Sequence, residues 1–409
     1  MTKPEKTIDP FATHPGYLRL QHLWGLAESQ DFSYPYFRQH EGLAHPNIVV
    51  DGKPVVEFSS YNYLGLASHP EVISAAQQAI DQYGTSVGAS RIVSGERPVH
   101  EALEQAIADL YGADAALAFV SGHATNVSVI AALFGPSDLI LYDRQAHNSI
   151  IQGIKLSGAP SKSFPHNDLQ MLVEYLTEMR HEHDRVVIIT EGLYSMDGDI
   201  PDLKVMVTIK QRFDCLLMVD EAHSLGVLGN HGLGIREHAG IKTTDVDIWM
   251  GTLSKSLASC GGYIAGSHAL IQILRYWAAG FMYSVGMPPA NAAAALKSIS
   301  ILRREPERVK RLQTLSRYFL DRCIDAGLNT GTAEGFAVIP VWTGDDTRTI
   351  KLANELFEAG ISVQPIIYPA VGKGTARLRF FLTCEHTEAM IDQALECLMT
   401  LHAKTALAG

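Results

Sequence analysis

The sequence predicts an α/β fold with a mostly parallel sheet, followed by a smaller α/β domain. Short apolar runs alternate with segments of helical spacing, and this alternation is typical of parallel sheets covered by helices. Several of the runs end in polar residues, where open α/β sheets bind their ligands. The chain has 409 residues, of which 46% are hydrophobic, so two or three domains with a large core are expected.

The first half of the chain predicts an N-terminal arm and then alternating elements. The opening residues are mixed in character and rich in His, Pro and aromatics, which indicates an arm or a short helical lead-in. Helical spacing follows at 69–84, 99–112 and 126–134. Strands are predicted at 55–60, 116–122, 139–143, 186–192, 215–223 and 247–256.

The second half predicts a linking helix and a smaller domain. The segment 284–310 has the pattern of one long helix that leads out of the sheet domain. Beyond it we expect helices at 308–327, 347–360 and 386–403 and strands at 336–342, 361–368 and 377–383. These patterns divide the chain into an arm (1–55), a large α/β domain (56–290) and a small C-terminal α/β domain (291–409).

Charge and cysteine content exclude several classes of protein. The net charge is −11, which argues against nucleic acid as a partner and against attraction to anionic membranes. The five cysteines lack CxxC spacing, so zinc and disulfide frameworks are not expected and reduced thiols in a cytoplasm fit better. No secretory signal is recognised at the N-terminus. The longest uncharged stretch, 115–137, contains Ser, His, Asn and Pro, which argues against a membrane span.

Four segments carry the candidate chemistry, and each lies where a predicted strand ends. They read FVSGHATN, YDRQAHNS, LLMVDEAHSLG and WMGTLSKSLASCGGYIAG, at residues 119–126, 142–149, 216–226 and 249–266. Their order along alternating α/β elements is the informative feature, since each is a common pattern when taken alone.

Together these segments match the needs of a pyridoxal phosphate enzyme. Lys255 would bind the cofactor as an imine, which requires a neutral amine in a desolvated site. Asp220 would keep the pyridine nitrogen protonated and make the ring an electron sink. The turn at Gly122 would present backbone N–H groups to the phosphate at a helix N-terminus. The ring of His147 would stack on the cofactor.

Other interpretations of the same segments are weaker. The DEAH sequence also occurs in helicases, but the chain is acidic and has no GxxxxGK[ST] phosphate loop. An isolated lysine or histidine would most often be a surface or structural residue. The pair His181 and His183, and His231, lack a matching set of metal ligands nearby in the sequence, so no metal is expected.

Six motifs carry a resemblance to a known family. They are SSYNYLGL (59–66), GASRIVSG (88–95), EGLYSMDGDIPDL (191–203), VDEAHSLGVLG (219–229), GTLSKSLASCGGYI (251–264) and GTARLRFFLT (374–383). From about residue 55 to residue 400 the chain resembles the α-oxoamine synthase family of fold-type I pyridoxal phosphate enzymes. The resemblance implies a large domain with a mostly parallel, seven-stranded sheet and a small C-terminal domain.

The resemblance implies a cofactor role for ten residues. Lys255 corresponds to the imine-forming lysine, Asp220 to the partner of the pyridine nitrogen, and His223 to a hydrogen-bond donor to the phenolic oxygen. His147 corresponds to the ring that stacks on the cofactor, and Ser195 lies near both the cofactor and the amino acid. The phosphate is implied to lie near Gly122, His123, Thr252 and Ser254, with Ser284 reaching the phosphate of a neighbouring subunit in a homodimer.

Two further residues are implied to bind the amino-acid substrate. Asn62 and Arg379 correspond to the groups that hold its carboxylate. The sequence departs from the common family pattern at His123, where many relatives have Phe or Tyr, and at 366–379, which lacks the usual proline-rich acyl-site loop.

The resemblance implies a decarboxylating condensation. A small amino acid (alanine, serine or glycine) would react with an acyl thioester, carried by CoA or an acyl carrier protein, to give an α-amino ketone. Two alternatives stay open at this point. One is a pyridoxal phosphate aldolase or lyase acting on a β-hydroxy amino acid, and the other is a non-catalytic partner subunit.

Overall fold

The computed structural model describes residues 9–29 and 33–407. Its strands are β1 His40–Glu41, β2 Asn47–Val50, β3 Lys53–Glu57, β4 Ala115–Phe119, β5 Leu139–Asp143, β6 Ser161–Phe164, β7 Val186–Glu191, β8 Leu216–Asp220, β9 Ile248–Thr252, β10 Gly262–Gly266, β11 Val338–Gly344, β12 Ile361–Ser362, β13 Gln364–Ile366 and β14 Ala376–Phe381. Its helices are α1 Pro15–Ser29, α2 Pro70–Tyr83, α3 Pro98–Tyr111, α4 Gly122–Leu133, α5 Asn148–Ser157, α6 Leu169–Met179, α7 Leu203–Arg212, α8 Ile235–Ala239, α9 His268–Trp277, α10 Ala279–Met282, α11 Pro289–Arg304, α12 Glu307–Asp325, α13 Asp346–Glu358 and α14 Glu388–Leu407.

The central sheet has seven strands in the order β4-β10-β9-β8-β7-β5-β6. The strands from β9 to β6 are parallel to their neighbours, whereas β10 runs antiparallel to both β4 and β9. The predicted mostly parallel sheet is therefore confirmed. Strands β6 and β10 are not long apolar runs, so the hydrophobic pattern of the sequence did not predict them.

Strands of this sheet are buried on both faces. All six residues of β7 are buried, with Val186 and Ile188 in one hydrophobic cluster and Val187 and Ile189 in the other. Successive side chains of a strand point to opposite faces, so the two clusters lie on the two sides of the sheet. This double burial fixes the strand register and brings the polar strand ends to one edge.

The described residues form two smaller sheets besides the central one. One has the order β1-β2-β3-β12, in which β12 is parallel to β3, and the other has the order β11-β14-β13. The pairing of β3 with β12 joins an early segment of the chain to a late one. The division into segments 1–55, 56–290 and 291–409 stays a prediction.

The predicted single helix over 284–310 is wrong. The structure has two helices instead, α11 ending at Arg304 and α12 beginning at Glu307. Pro306 lies between them, and proline lacks the N–H that a continuing helix needs. The predicted strand 361–368 is likewise divided into β12 and β13.

Among residues 9–29 and 33–407, no helix combines the length and apolar character needed to cross a bilayer.

Candidate active site

A cavity of about 320 Å³ lies at the carboxyl edge of the central sheet. The sheet supplies its floor from the ends of β7, β8 and β9, and the N-terminus of α4 opens into it. Ten of the twelve residues predicted for the site line this one cavity, although they are spread over more than 250 positions. They are Gly122, His123, His147, Ser195, Asp220, His223, Thr252, Ser254, Lys255 and Arg379.

Asp220 is the buried final residue of β8. Its Oδ2 accepts a hydrogen bond from Asn126 Nδ2 at 2.8 Å, and its Oδ1 accepts one from the Ala222 N–H at 2.9 Å. Asn126 also donates to Ser149 Oγ at 2.9 Å. These bonds hold the carboxylate in one orientation, which suits a group that must face a fixed ring nitrogen. Asn126 lies one helical turn after Gly122. This spacing puts the two residues on the same face of α4.

Lys255 follows β9 and reaches into the cavity. Burial lowers the pKa of its ammonium to about 8, although the negative charges of Asp220 and Glu191 act to raise it. Its Nζ lies 5.5 Å from the centre of the Tyr61 ring. A lysine with this pKa has a useful neutral fraction near physiological pH, as a nucleophilic amine requires.

Glu191 is a site residue that the sequence analysis did not assign. It ends β7 directly beside Asp220 in the strand register, and its Oε1 accepts the His147 N–H at 2.6 Å. Burial and the neighbouring Asp220 raise the pKa of its carboxyl well above the ordinary value. The available signal was its place at the end of an apolar strand, the same signal that identified Asp220.

Two histidines face the cavity as neutral rings. Burial lowers the pKa of His223 well below its ordinary value, and nearby Lys255 adds to the effect. The Nδ1 atom of His223 lies 2.7 Å from the hydroxyl of buried Tyr63. Burial also lowers the pKa of His147, whose Nδ1 bonds to Ser149 Oγ at 2.7 Å. The two rings are therefore oriented by partners behind them.

At the N-terminus of α4, a side chain at position 122 would crowd Thr252. A Cβ at Gly122 would lie 2.8 Å from Thr252 Oγ1. The Thr252 hydroxyl in turn donates to the Gly261 carbonyl at 2.9 Å, and the Ser254 hydroxyl to the same carbonyl at 3.3 Å. N–H groups at a helix N-terminus are the donors that a phosphate group prefers, and the two hydroxyls beside them could donate as well only by turning away from the Gly261 carbonyl. The residues present thus fit pyridoxal phosphate, with Asp220 at the opposite end.

Arg379 enters the cavity from β14, on the side of the C-terminal segment. Its Nη1 donates to the Ser195 carbonyl at 3.1 Å and lies 3.3 Å from Met196 Sδ. Its Nε is buried without a hydrogen-bond partner. Burial lowers the pKa of the guanidinium, so an anionic partner would be strongly favoured here.

Two predicted residues lie outside this cavity. Asn62 lines an adjoining cavity of about 360 Å³, which shares Tyr61, Ser254 and Lys255 with the first. Its amide bonds to backbone, donating to the Ala44 carbonyl and accepting from the Ala67 N–H, each at 3.0 Å. Ser284 is half-buried in the segment between α10 and α11, where its hydroxyl donates to the Val285 carbonyl at 3.2 Å.

Comparisons with known proteins agree with this geometry. Residues 53–398 match the model of the family "Aminotransferase class I and II". The chain is 42% identical to a putative 8-amino-7-oxononanoate synthase of Gloeobacter violaceus, over 91% of this chain and 94% of that one. It is 38% identical to a serine palmitoyltransferase of Sphingobacterium spiritivorum, over 89% of this chain and 90% of that one.

A solved structure extends the agreement to three dimensions. A serine palmitoyltransferase variant from S. paucimobilis, with bound PLP and myriocin, superposes with a TM-score of 0.92 at 28% identity, covering 98% of this chain and all of that one. The predicted fold class is confirmed. The chain belongs to the aminotransferase class I and II family and, within it, to the α-oxoamine synthases, as its motifs predicted.

Proposed function

We propose that this chain is a pyridoxal phosphate-dependent α-oxoamine synthase. It condenses a small amino acid, alanine, serine or glycine, with an acyl thioester of CoA or an acyl carrier protein. A carbon–carbon bond forms between the α-carbon and the acyl carbon, and the thiol leaves. The carboxylate then leaves as carbon dioxide, which gives an α-amino ketone. The observation that carries the proposal is a lysine of lowered pKa facing a fixed aspartate in one cavity, with an arginine donor left unbonded.

The cofactor would be held at both ends. Asp220 would pair with the pyridine nitrogen, and the backbone of Gly122 and His123 would bind the phosphate together with Thr252 and Ser254. His147 would stack on the ring, and His223 would donate to its phenolic oxygen, with Ser195 close by. Bound pyridoxal phosphate withdraws electrons from the α-carbon of the attached amino acid and so acidifies its C–H bond.

The proton transfers fall to Lys255. Its Nζ accepts the α-proton and later returns a proton to the same carbon, since its lowered pKa leaves part of the amine neutral near pH 7. Asp220 stabilises the charge that develops when the α-proton leaves. Because its oxygens are already bonded and oriented, little reorganisation is needed at that moment.

The amino-acid carboxylate would bind to Arg379 and Asn62. Arg379 offers the buried Nε, which has no partner of its own, and a guanidinium can hold a carboxylate through two parallel bonds. Asn62 approaches from the adjoining cavity that shares Lys255. Lys255 lines both cavities, so a substrate held in either one would be close to this residue.

We further propose that the chain forms a homodimer. Ser284 lies in a stretch of exposed apolar side chains, with Trp277 71%, Tyr283 84% and Val285 53% exposed. Apolar surface of this kind in one region is typical of a subunit interface. In the dimer Ser284 would reach the phosphate bound by the partner subunit.

The five free cysteines agree with a cytoplasmic location.

The proposed reaction is tested by mass balance. The purified protein, loaded with pyridoxal phosphate, is incubated with carboxyl-labelled glycine, L-alanine or L-serine and with an acyl-CoA series. We expect labelled carbon dioxide and free thiol in equal amounts, only when both substrates are present. Cleavage of L-threonine to glycine and acetaldehyde without any thioester would support the aldolase alternative instead. Turnover of neither kind would support the non-catalytic alternative.

A further inference from the structure

His166 lies outside the cavity but between two segments that form its walls. It occupies the loop from β6 to α6, and its side chain is 17% exposed. Its Nδ1 is 2.9 Å from Asp143 Oδ1, and its Nε2 is 2.9 Å from Asp199 Oδ2. A neutral imidazole has only one N–H to donate, so two carboxylate partners require the doubly protonated ring.

The charges around His166 support this state. Burial lowers the pKa of His166, but the hydrogen bonds and charges of Asp143 and Asp199 outweigh burial and raise it to about 10. The two carboxylates are themselves nearly inaccessible, at 0% and 7% side-chain exposure. Asp199 also accepts the Thr332 hydroxyl, but its Oδ1 is buried without a partner. Loss of the imidazolium would therefore leave a buried carboxylate largely uncompensated.

Each carboxylate organises one wall of the cavity. Asp143 ends β5 and starts the turn that leads to His147. Its side-chain Oδ1 accepts the N–H of Gln145, and its backbone carbonyl accepts the N–H of Ala146. Asp199 closes the segment 194–199, because its carbonyl accepts the Tyr194 N–H at 3.0 Å. That second segment contributes Ser195 and Met196 to the cavity and accepts the bond from Arg379.

Neighbouring contacts reinforce the same connection. The rings of Tyr194 and His166 pack in a T-shaped arrangement, with centroids 4.5 Å apart and planes at 85°. Asn167 donates its N–H to Asp143 Oδ2 at 2.8 Å and its amide to the Ile200 carbonyl at 3.2 Å. His166 and Asn167 thus tie the two walls together through both side chains and backbone.

We propose that His166 is a positioning residue, which fixes the segment 194–199 against the turn that carries His147 and thereby sets how the amino-acid substrate is held. The inference rests on the proposed function, since it assigns the substrate carboxylate to the Arg379 side of the cavity. His166 touches neither substrate nor cofactor in this role. It acts through Asp143 and Asp199.

The test is a double-mutant cycle with His166→Gln and Asp199→Asn. Each variant is loaded with pyridoxal phosphate and titrated with glycine, L-alanine and L-serine while the visible spectrum is recorded. We expect the cofactor band to be retained and the dissociation constant for the responding amino acid to rise about 10- to 100-fold, the size of effect that small displacements of a site produce. The double variant should lose no more than the weaker-binding single variant, because both changes break the same bond between His166 and Asp199.

The control is His231→Gln, which removes another histidine–carboxylate pair. His231 Nδ1 lies 2.6 Å from Glu237 Oε1 and its side chain is 68% exposed, in a region that does not line the cavity. An unchanged dissociation constant in His166→Gln, or additive losses in the double variant, would overturn the inference. If His166→Gln does not fold, the milder Asp199→Asn decides the matter through the same titration. Absence of any spectral response in the unaltered protein would instead refute the proposed function.

Discussion

The sheet side and the C-terminal side of the cavity are built differently. On the sheet side, Asp220 and Glu191 end adjacent strands and are hydrogen-bonded to neighbouring groups. On the C-terminal side, Arg379 enters from β14 and keeps its buried Nε unbonded. The sheet side is thus organised for a cofactor that stays in place, and the C-terminal side leaves a donor ready for a substrate that binds and leaves. Variants on the two sides should therefore fail in different ways.

The largest effect is expected on the sheet side from Lys255→Ala. Removing the amine removes both the attachment of the cofactor and the proton transfers at the α-carbon, so turnover should fall by at least about 10⁴-fold. The visible band of the attached cofactor should vanish as well. Lys297→Ala, at a half-exposed lysine paired with Glu71, is the matched control. Turnover retained by Lys255→Ala would remove this lysine from the mechanism.

Asp220→Asn should have the next largest effect. The amide keeps the shape of the side chain but removes the charge that supports a protonated ring nitrogen, and kcat should fall about 10²- to 10³-fold. The KM for the amino acid should change little, because the substrate side is untouched. Asp214→Asn, at a fully exposed aspartate, controls for a simple change of charge. A kcat equal to that of the control would contradict the assigned pairing.

The sheet side also predicts a pH dependence. The lowered pKa of Lys255, about 8 rather than 10.5, means that the neutral amine is present at roughly 300-fold higher concentration near pH 7 than for an ordinary lysine. The rate at which cofactor-free protein takes up pyridoxal phosphate into the coloured form should therefore rise with pH and level off above about 8. Stopped-flow absorbance measures this profile. A midpoint near 10.5 would show that the amine is not desolvated.

On the C-terminal side, Arg379→Lys should act mainly on KM. Lysine keeps the positive charge but cannot form two parallel bonds to a carboxylate. The KM for the amino acid should rise about 10- to 100-fold, as expected for losing a charged hydrogen bond, while the cofactor spectrum stays unchanged. Arg322→Lys, paired with Asp392 at the surface, is the control. A loss of cofactor in place of a higher KM would contradict the division between the two sides.

The smallest effect is expected from Gly122→Ala. Its methyl group would crowd Thr252 at the helix N-terminus, and overpacking of this size costs about 1–3 kcal/mol. Affinity for pyridoxal phosphate should fall roughly tenfold or more, measured by equilibrium dialysis. Gly135→Ala, where a Cβ meets nothing within 4 Å, is the comparison. Equal cofactor affinity in the two variants would place the phosphate elsewhere.

The same contrast explains what the sequence could predict. Asp220, His147 and Lys255 follow apolar strands, and parallel strands bring their carboxyl ends to one edge, so local patterns were enough to group them. Arg379 and Asn62 rested on motif resemblance alone, because their position depends on how distant segments pack. Glu191 carried the same strand-end signal as Asp220 and was still not assigned.

Some features have no local signal in the sequence. The pairing of β3 with β12 joins residues about 300 positions apart, and His166 joins the end of β5 to the loop that contains Asp199. The break between α11 and α12 did have a signal, Pro306, which the helical pattern on both sides concealed. Long-range pairing is set by tertiary packing, so periodicity cannot reveal it.

Lys255 and Asp220 must form one cofactor site that also accepts an amino acid if the proposed reaction is to take place. The visible spectrum of the purified protein with pyridoxal phosphate, titrated with glycine, L-alanine and L-serine, tests this directly. We predict an absorbance band that survives dialysis and shifts in a saturable way with at least one of the three. A protein that stays colourless after addition of pyridoxal phosphate would contradict the account.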